Sequence, residues 1–258
     1  MADRGTTRDL LVRYLRQRAE LGQREWFLEE TTASQFLERL RRAGGGIMKV
    51  AGRPLPAEPV VARGDHATLE ALRAEVLVCT LCRLAEGRNT VVFGEGDYEA
   101  DLLVVGEAPG YEEDRSGRPF VGPAGQLLDK MLAAIGFRRS EVFICNVLKC
   151  RPPNNRDPGA DEVAACRPYL RKQVELIQPK AICAFGRFAA QTLLATEKSL
   201  GRLRGTTHDF MGTPVVTTYH PAALLRNAQW KRPAWEDLKL LRRVYDEAGG
   251  RRPGGERG

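Results

Sequence analysis

The sequence predicts an α/β fold, a four-stranded parallel sheet with helices on both faces. Two observations carry this. Short runs at 102–105, 142–148, 181–185 and 215–219 are predominantly hydrophobic, as strands buried on both faces are. Segments at 125–135, 161–177, 187–195 and about 234–245 carry apolar residues at helical spacing. Alternating strands and helices make parallel crossovers, which place helices on both sides of the sheet in an α/β/α sandwich.

In chain order, apolar positions from Leu10 to Leu40 in an Arg- and Glu-rich background predict a helical N-terminal extension over 1–42, suited to docking on the core or on another protein. Residues 43–64 hold Gly44-Gly45-Gly46, Pro54, Pro56 and Pro59, the composition of a flexible linker. Thr68 is placed to cap the next helix, whose Leu69, Leu72 and Val76 share a face and lead into Cys79. The folded domain spans 65–248, and the Gly/Arg/Pro tail 249–258 reads as disordered.

The chain has 258 residues, enough for one sizeable core plus an extension. Its formal charge of +7 suits a polyanionic partner without demanding one. No apolar run approaches a membrane span, and charges occupy the N-terminus where a signal peptide needs apolar residues, so a cytoplasmic protein with no membrane partner is expected.

The first strand stops at Gly106 and opens a loop dense in Gly and Pro, Glu107-Ala108-Pro109-Gly110, whose backbone can lie close to a ligand. Glu112, Glu113 and Asp114 follow, then Phe120 between Pro119 and Val121, and then a helix behind Pro123. A strand, a shaped loop and a helix are the arrangement in which α/β proteins bind ligands beyond a strand's carboxyl end.

Two further strand ends converge on that edge. Asn146 closes the second strand, and its amide offers one acceptor and two donors, enough to read a flat ring, although strand-end Asn also satisfies turns. His220 follows the fourth strand, where imidazolium can stabilise a developing anion. Leu224 and Arg226, just beyond it, suit an apolar wedge and a phosphate contact.

Six cysteines in a reducing compartment argue against a disulfide framework. Cys145 and Cys183 lie in strand-like runs and read as core. Cys79 and Cys82 form a C-x2-C pair, with Cys150 and Cys166 later. Four thiolates suit zinc or an iron–sulfur cluster, and spacing alone does not choose. Only the first pair is tight and Pro168 follows the last cysteine, which leans toward [4Fe–4S].

Assembled, Gly106-Glu107-Ala108-Pro109-Gly110, Glu113-Asp114, Gly117-Arg118-Pro119-Phe120-Val121-Gly122, the run Asn146-Val147-Leu148-Lys149-Cys150-Arg151-Pro152-Pro153, and His220-Pro221 resemble, in order, the family 4 uracil-DNA glycosylases, the iron–sulfur type. The resemblance spans about residues 69–245. It implies a [4Fe–4S] cluster on Cys79, Cys82, Cys150 and Cys166, and hydrolysis of the N-glycosidic bond of deoxyuridine in single- or double-stranded DNA by a monomer. It further implies that Phe120 stacks on the base, Asn146 reads its O4 and N3, and backbone N–H groups around Ala108 and Gly110 hold O2. Glu113 would exclude the thymine methyl, His220 would stabilise charge at O2, Leu224 would fill the vacated stack, and Arg226 would contact phosphate.

One position departs from the best-known uracil glycosylases, where a water-orienting carboxylate stands at the position of Ala108. This leaves Glu107, backbone or weak activation to place the water. A related protein that traps uracil-DNA covalently uses a His in the loop after the second motif; here that loop, 151–158, contains none, so turnover is favoured. A non-catalytic iron–sulfur DNA-binding module would have no need of Phe120, Asn146 and His220 together.

Overall fold

The computed structural model describes residues 63–251. The N-terminal extension, most of the linker and residues 252–258 lie outside the described residues. In chain order the elements are helices α1 (His66–Leu77) and α2 (Leu84–Gly87), strands β1 (Glu95–Gly96) and β2 (Leu102–Gly106), helices α3 (Tyr111–Ser116) and α4 (Pro123–Ala134), and strand β3 (Phe143–Asn146). Then come α5 (Ala160–Ile177), β4 (Ala181–Phe185), α6 (Arg187–Leu194), α7 (Leu200–Leu203), β5 (Thr207–Phe210), β6 (Thr213–Thr218), α8 (Pro221–Arg226) and α9 (Lys231–Glu247).

The sheet order is β1-β3-β2-β4-β6-β5. The four expected strands form its parallel centre, and two short antiparallel strands edge it, so the sheet has six strands and not four. Strand periodicity divides the core into two layers. Leu103, Val105, Phe143, Cys145, Ile182 and Ala184 pack with Leu69 and Leu72 of α1 and Leu170 and Val174 of α5. Their alternates Leu102, Val104, Ile144, Cys183 and Phe185 pack with Leu128 and Leu132 of α4 and Leu238 and Leu241 of α9. Cys145 and Cys183 are fully buried, as expected of core residues.

The boundaries need three corrections. Asp65, not Thr68, caps α1, its carboxylate accepting the N–H groups of Ala67 and Thr68. The linker's last residues are docked, because Gly64 N–H donates to the Leu176 carbonyl at 3.0 Å and Arg63 pairs with the buried Asp101. The tail's first residues are docked too, since Arg251 donates to the same carboxylate from its backbone N–H and its Nε, each at 2.9 Å. One buried carboxylate thus holds both ends of the described chain. Among the described residues no helix is long and apolar enough to cross a membrane.

Candidate active site

The carboxyl ends of β2, β3 and β6 open on one cavity of about 400 Å³. It is lined by Glu107, Ala108, Gly110, Glu113, Phe120, Asn146, His220 and Arg226, so three separate strand ends meet as their positions predicted. The loop 152–157 also contributes, through Pro152, Asn155, Arg156 and Asp157. Sequence reasoning considered that loop only for its lack of His. Its signal was the Asn-Asn-Arg-Asp run directly after the second motif.

Phe120 occupies a left-handed backbone conformation, φ 51°, which is costly for a bulky residue and persists only where neighbours over-determine it. Glu113 supplies part of that restraint: Oε1 accepts the N–H groups of Val121 at 2.9 Å and Gly122 at 3.2 Å, and Oε2 accepts that of Gly110 at 3.1 Å. Arg139 supplies the rest, donating to the Phe120 carbonyl at 3.1 Å and to that of Pro119. Gly125 completes the fit, since a Cβ there would stand 1.8 Å from the Phe120 carbonyl oxygen. The three acidic residues of the loop are the first turn of α3, where carboxylates complement the helix dipole. Asp114 is buried and ties the loop to Asn89 through its N–H and Nδ2.

Asn146 is 1% exposed, and its Oδ1 has no hydrogen-bond partner. Gly106 is what admits it: a Cβ there would lie 2.3 Å from that Oδ1 and 2.6 Å from the Phe120 ring.

His220 is the N-cap of α8, with Nδ1 accepting the Ala222 N–H at 3.2 Å. That bond leaves the proton of the neutral ring on Nε2. Burial, reinforced by the Arg226 guanidinium and opposed by Glu113, pulls the imidazole down to about 4. The expected imidazolium is therefore corrected to a neutral imidazole. Behind it, Tyr219 stacks on Trp230 with centroids 4.8 Å apart and lies under the Arg204 guanidinium at 4.2 Å. Arg204 and Thr218 both donate to the buried Asp237, which anchors the strand end that carries His220.

Glu107 is half-buried, and desolvation, with Asp157 adding to it and Arg187 opposing, pushes its carboxyl up to about 7. The Gly110 N–H is committed to Glu113 and so does not face the cavity as a free donor. Leu224 lies outside the cavity. It is 2% exposed, on the inward face of α8 with Pro221, whereas Leu225 is 51% exposed. A residue three positions from a buried one shares its face, so in this structure Leu225, not Leu224, is the apolar side chain of α8 that faces outward.

A second cavity is lined by Cys79, Cys82, Cys150 and Cys166, together with Arg88, Lys149 and Tyr169. Arg88 Nη1 donates to the Cys79 carbonyl at 2.7 Å and to Cys150 Sγ at 3.3 Å, and the Lys149 N–H donates to Cys166 Sγ at 3.3 Å. Among the described residues no group of His, Cys, Asp or Glu side chains is arranged to hold a metal ion.

Residues 93–239 match the profile of the Uracil DNA glycosylase superfamily. The chain is 43% identical over 186 residues to the type-4 uracil-DNA glycosylase of Sulfurisphaera tokodaii, covering 69% of this chain and 84% of that protein. It is 43% identical over 185 residues to the type-4 uracil-DNA glycosylase of Thermotoga maritima, covering 70% and 96% respectively. A type-5 uracil-DNA glycosylase of Pyrobaculum aerophilum is 34% identical over 175 residues, with 60% and 75% covered.

Proposed function

Because this chain belongs to the uracil-DNA glycosylase superfamily, with type-4 enzymes among its relatives, we propose that its cavity excises uracil from DNA, hydrolysing the N-glycosidic bond and leaving an abasic site. The observation that carries this reading is the buried, unpartnered Oδ1 of Asn146 in a cavity that also holds Phe120 and His220. A buried acceptor without a partner costs about 1–3 kcal/mol. The N3–H of uracil removes that cost, while the Asn146 Nδ2 donates to O4.

Extruding a base costs roughly a few kcal/mol. Stacking on Phe120 and the edge contacts of Asn146 offset it, and the exposed Leu225 suits the gap left in the stack better than the buried Leu224. Arg226, exposed on the rim, holds a phosphate. Thymine offers the same hydrogen-bonding edge, so discrimination falls to the C5 side, where Glu113 stands fixed by its three amide bonds.

As the C1′–N1 bond breaks, its electron pair passes to the base, and negative charge gathers at O2. Neutral His220 donates Nε2–H there; a neutral donor adds no positive charge to repel the oxocarbenium-like sugar. Ala108 can contribute its backbone N–H but no carboxylate. Water attacks C1′, and Glu107 takes its proton, a role suited to a carboxyl held near neutrality. The products are the uracil anion, which is protonated from solvent on release, and an abasic sugar bearing a C1′ hydroxyl, while Glu107 gives its proton back to solvent.

The thiol set of the second cavity fits an iron–sulfur cluster. Four cysteines line one cavity and together supply the all-thiolate donor set that such a cluster takes. Cys79, Cys82, Cys150 and Cys166 would hold a [4Fe–4S] cluster, which when bound supplies a covalent tie between the end of α1, the loop after β3 and α5. The protein would act as a monomer in the cytoplasm, at the nucleoid, with residues 1–42 available to dock another protein.

The test is product analysis on a uracil-containing oligonucleotide without added metal. Free uracil and an alkali-labile strand are expected, whereas a stable protein–DNA adduct without free uracil would establish trapping in place of turnover.

A further inference from the structure

Lys149 stands between the two sites and belongs to neither role so far assigned. It is 1% exposed, in the sequence between Asn146 and Cys150. Its Nζ donates to the Asn146 main-chain carbonyl at 2.7 Å and to Gln173 Oε1 at 2.6 Å. Gln173, itself fully buried, is fixed in turn by donating Nε2–H to the Phe93 carbonyl at 2.9 Å. Among the described residues no carboxylate forms an ion pair with this ammonium. Neutral oxygens satisfy its hydrogen bonds but not its charge, and a buried charge is costly unless an opposite one lies near.

The opposite charge has a place in the neighbouring cysteine cavity. Lys149 lines the cysteine cavity, and its own N–H donates to Cys166 Sγ. Four thiolates around an iron–sulfur core carry net negative charge, enclosed with this side chain in the same layer of the protein.

We propose that Lys149 is the counter-ion of the cluster and the positioning residue for Asn146, so that loading of the cysteine site sets how well the amide reads uracil. The proposal rests on the iron–sulfur reading above. It makes the cluster more than a tie between helices: it balances the charge that holds the carbonyl of the base-reading residue.

Two variants test it in the full-length, iron-loaded protein. Lys149→Met removes the charge while keeping an unbranched apolar stem. Gln173→Glu keeps the side chain's size, gives up the Nε2–H bond to the Phe93 carbonyl and sets a carboxylate against the ammonium, in competition with the cluster. Both are expected to shift the cluster's midpoint potential, measured by protein-film voltammetry, to more negative values. Lys149→Met, which removes the bond to the Asn146 carbonyl, is also expected to weaken binding of free uracil by about tenfold, the ratio carried by one hydrogen bond to a charged group. Potentials unchanged from wild type in both variants, or uracil affinity unchanged in Lys149→Met, would overturn the proposal. A wild-type protein that binds no iron would instead bring down the iron–sulfur reading, and the proposal with it.

Discussion

The imidazole of His220 lies against the ring of Phe120, centroids 5.4 Å apart and planes 28° from parallel. The two rings thus form one wall of the cavity. This contact, with the Nδ1 bond to Ala222, fixes where Nε2 points. Replacing His220 by Ala should lower the single-turnover excision rate by about 10²–10³, the usual loss for one donor to a developing anion. Excision within a few-fold of wild type would remove His220 from the chemistry.

The protonation state of that ring can be read separately. With its value lowered to about 4, His220 is neutral above that pH and gains a proton only below it. Nitrogen NMR of the folded protein should show a neutral, Nε2-protonated ring from pH 8 down to about 5. A transition near pH 6.5 would restore the imidazolium.

Glu107 sets an acid limb of its own, at higher pH than that of His220. Its carboxyl is raised to about 7, so the base form is lost as pH falls through that value. Activity should rise about tenfold per pH unit below 7 and level off above it, as for a single ionisable base. Glu107→Gln should flatten this limb and lower the plateau. An identical pH profile in the variant would leave water placement to the backbone.

Glu113 clamps three backbone amides, and the proposed reading also sets it beside C5 of the base; substitution can separate the two. As a clamp it holds three backbone amides, so Glu113→Ala should destabilise the domain by about 1–3 kcal/mol through the orphaned donors. As a wall beside C5 its loss should also admit thymine, detected as thymine release from a T:G mismatch. Destabilisation without thymine release would leave only the clamp.

The central sheet was legible because its strands are short, apolar and bounded by Gly or polar residues, and three strand ends carried chemistry to one edge. The edge strands were hidden for physical reasons. β1 is two residues long. The β5–β6 hairpin turns through Met211 at φ 57°, where a turn of this kind ordinarily announces itself with Asn or Asp. α3 was readable in principle. Glu113 three residues after Gly110, with Gly117 left-handed at the far end, is a helix with both ends marked, yet carboxylates beside a Gly- and Pro-dense loop point as readily to a ligand site. Neutrality of His220 and burial of Leu224 depend on tertiary packing, which no local pattern reports.

Leu224 and Leu225 give opposite expectations. Leu224→Ala should cost about 2–5 kcal/mol of stability, the range for truncating a packed core leucine. Leu225→Ala should leave stability unchanged but slow excision from duplex more than from single strands, where no stack needs filling. Equal slowing on both substrates would exclude the wedge.

The most direct measurement is single-turnover release of uracil from a U:G duplex by the wild-type protein and by Asn146→Ala. Release by the wild type, and a fall of about 10²–10³ in the variant with its circular dichroism unchanged, is the predicted result for loss of an edge reader and its transition-state contact. Equal rates, or no uracil from the wild type, would contradict it.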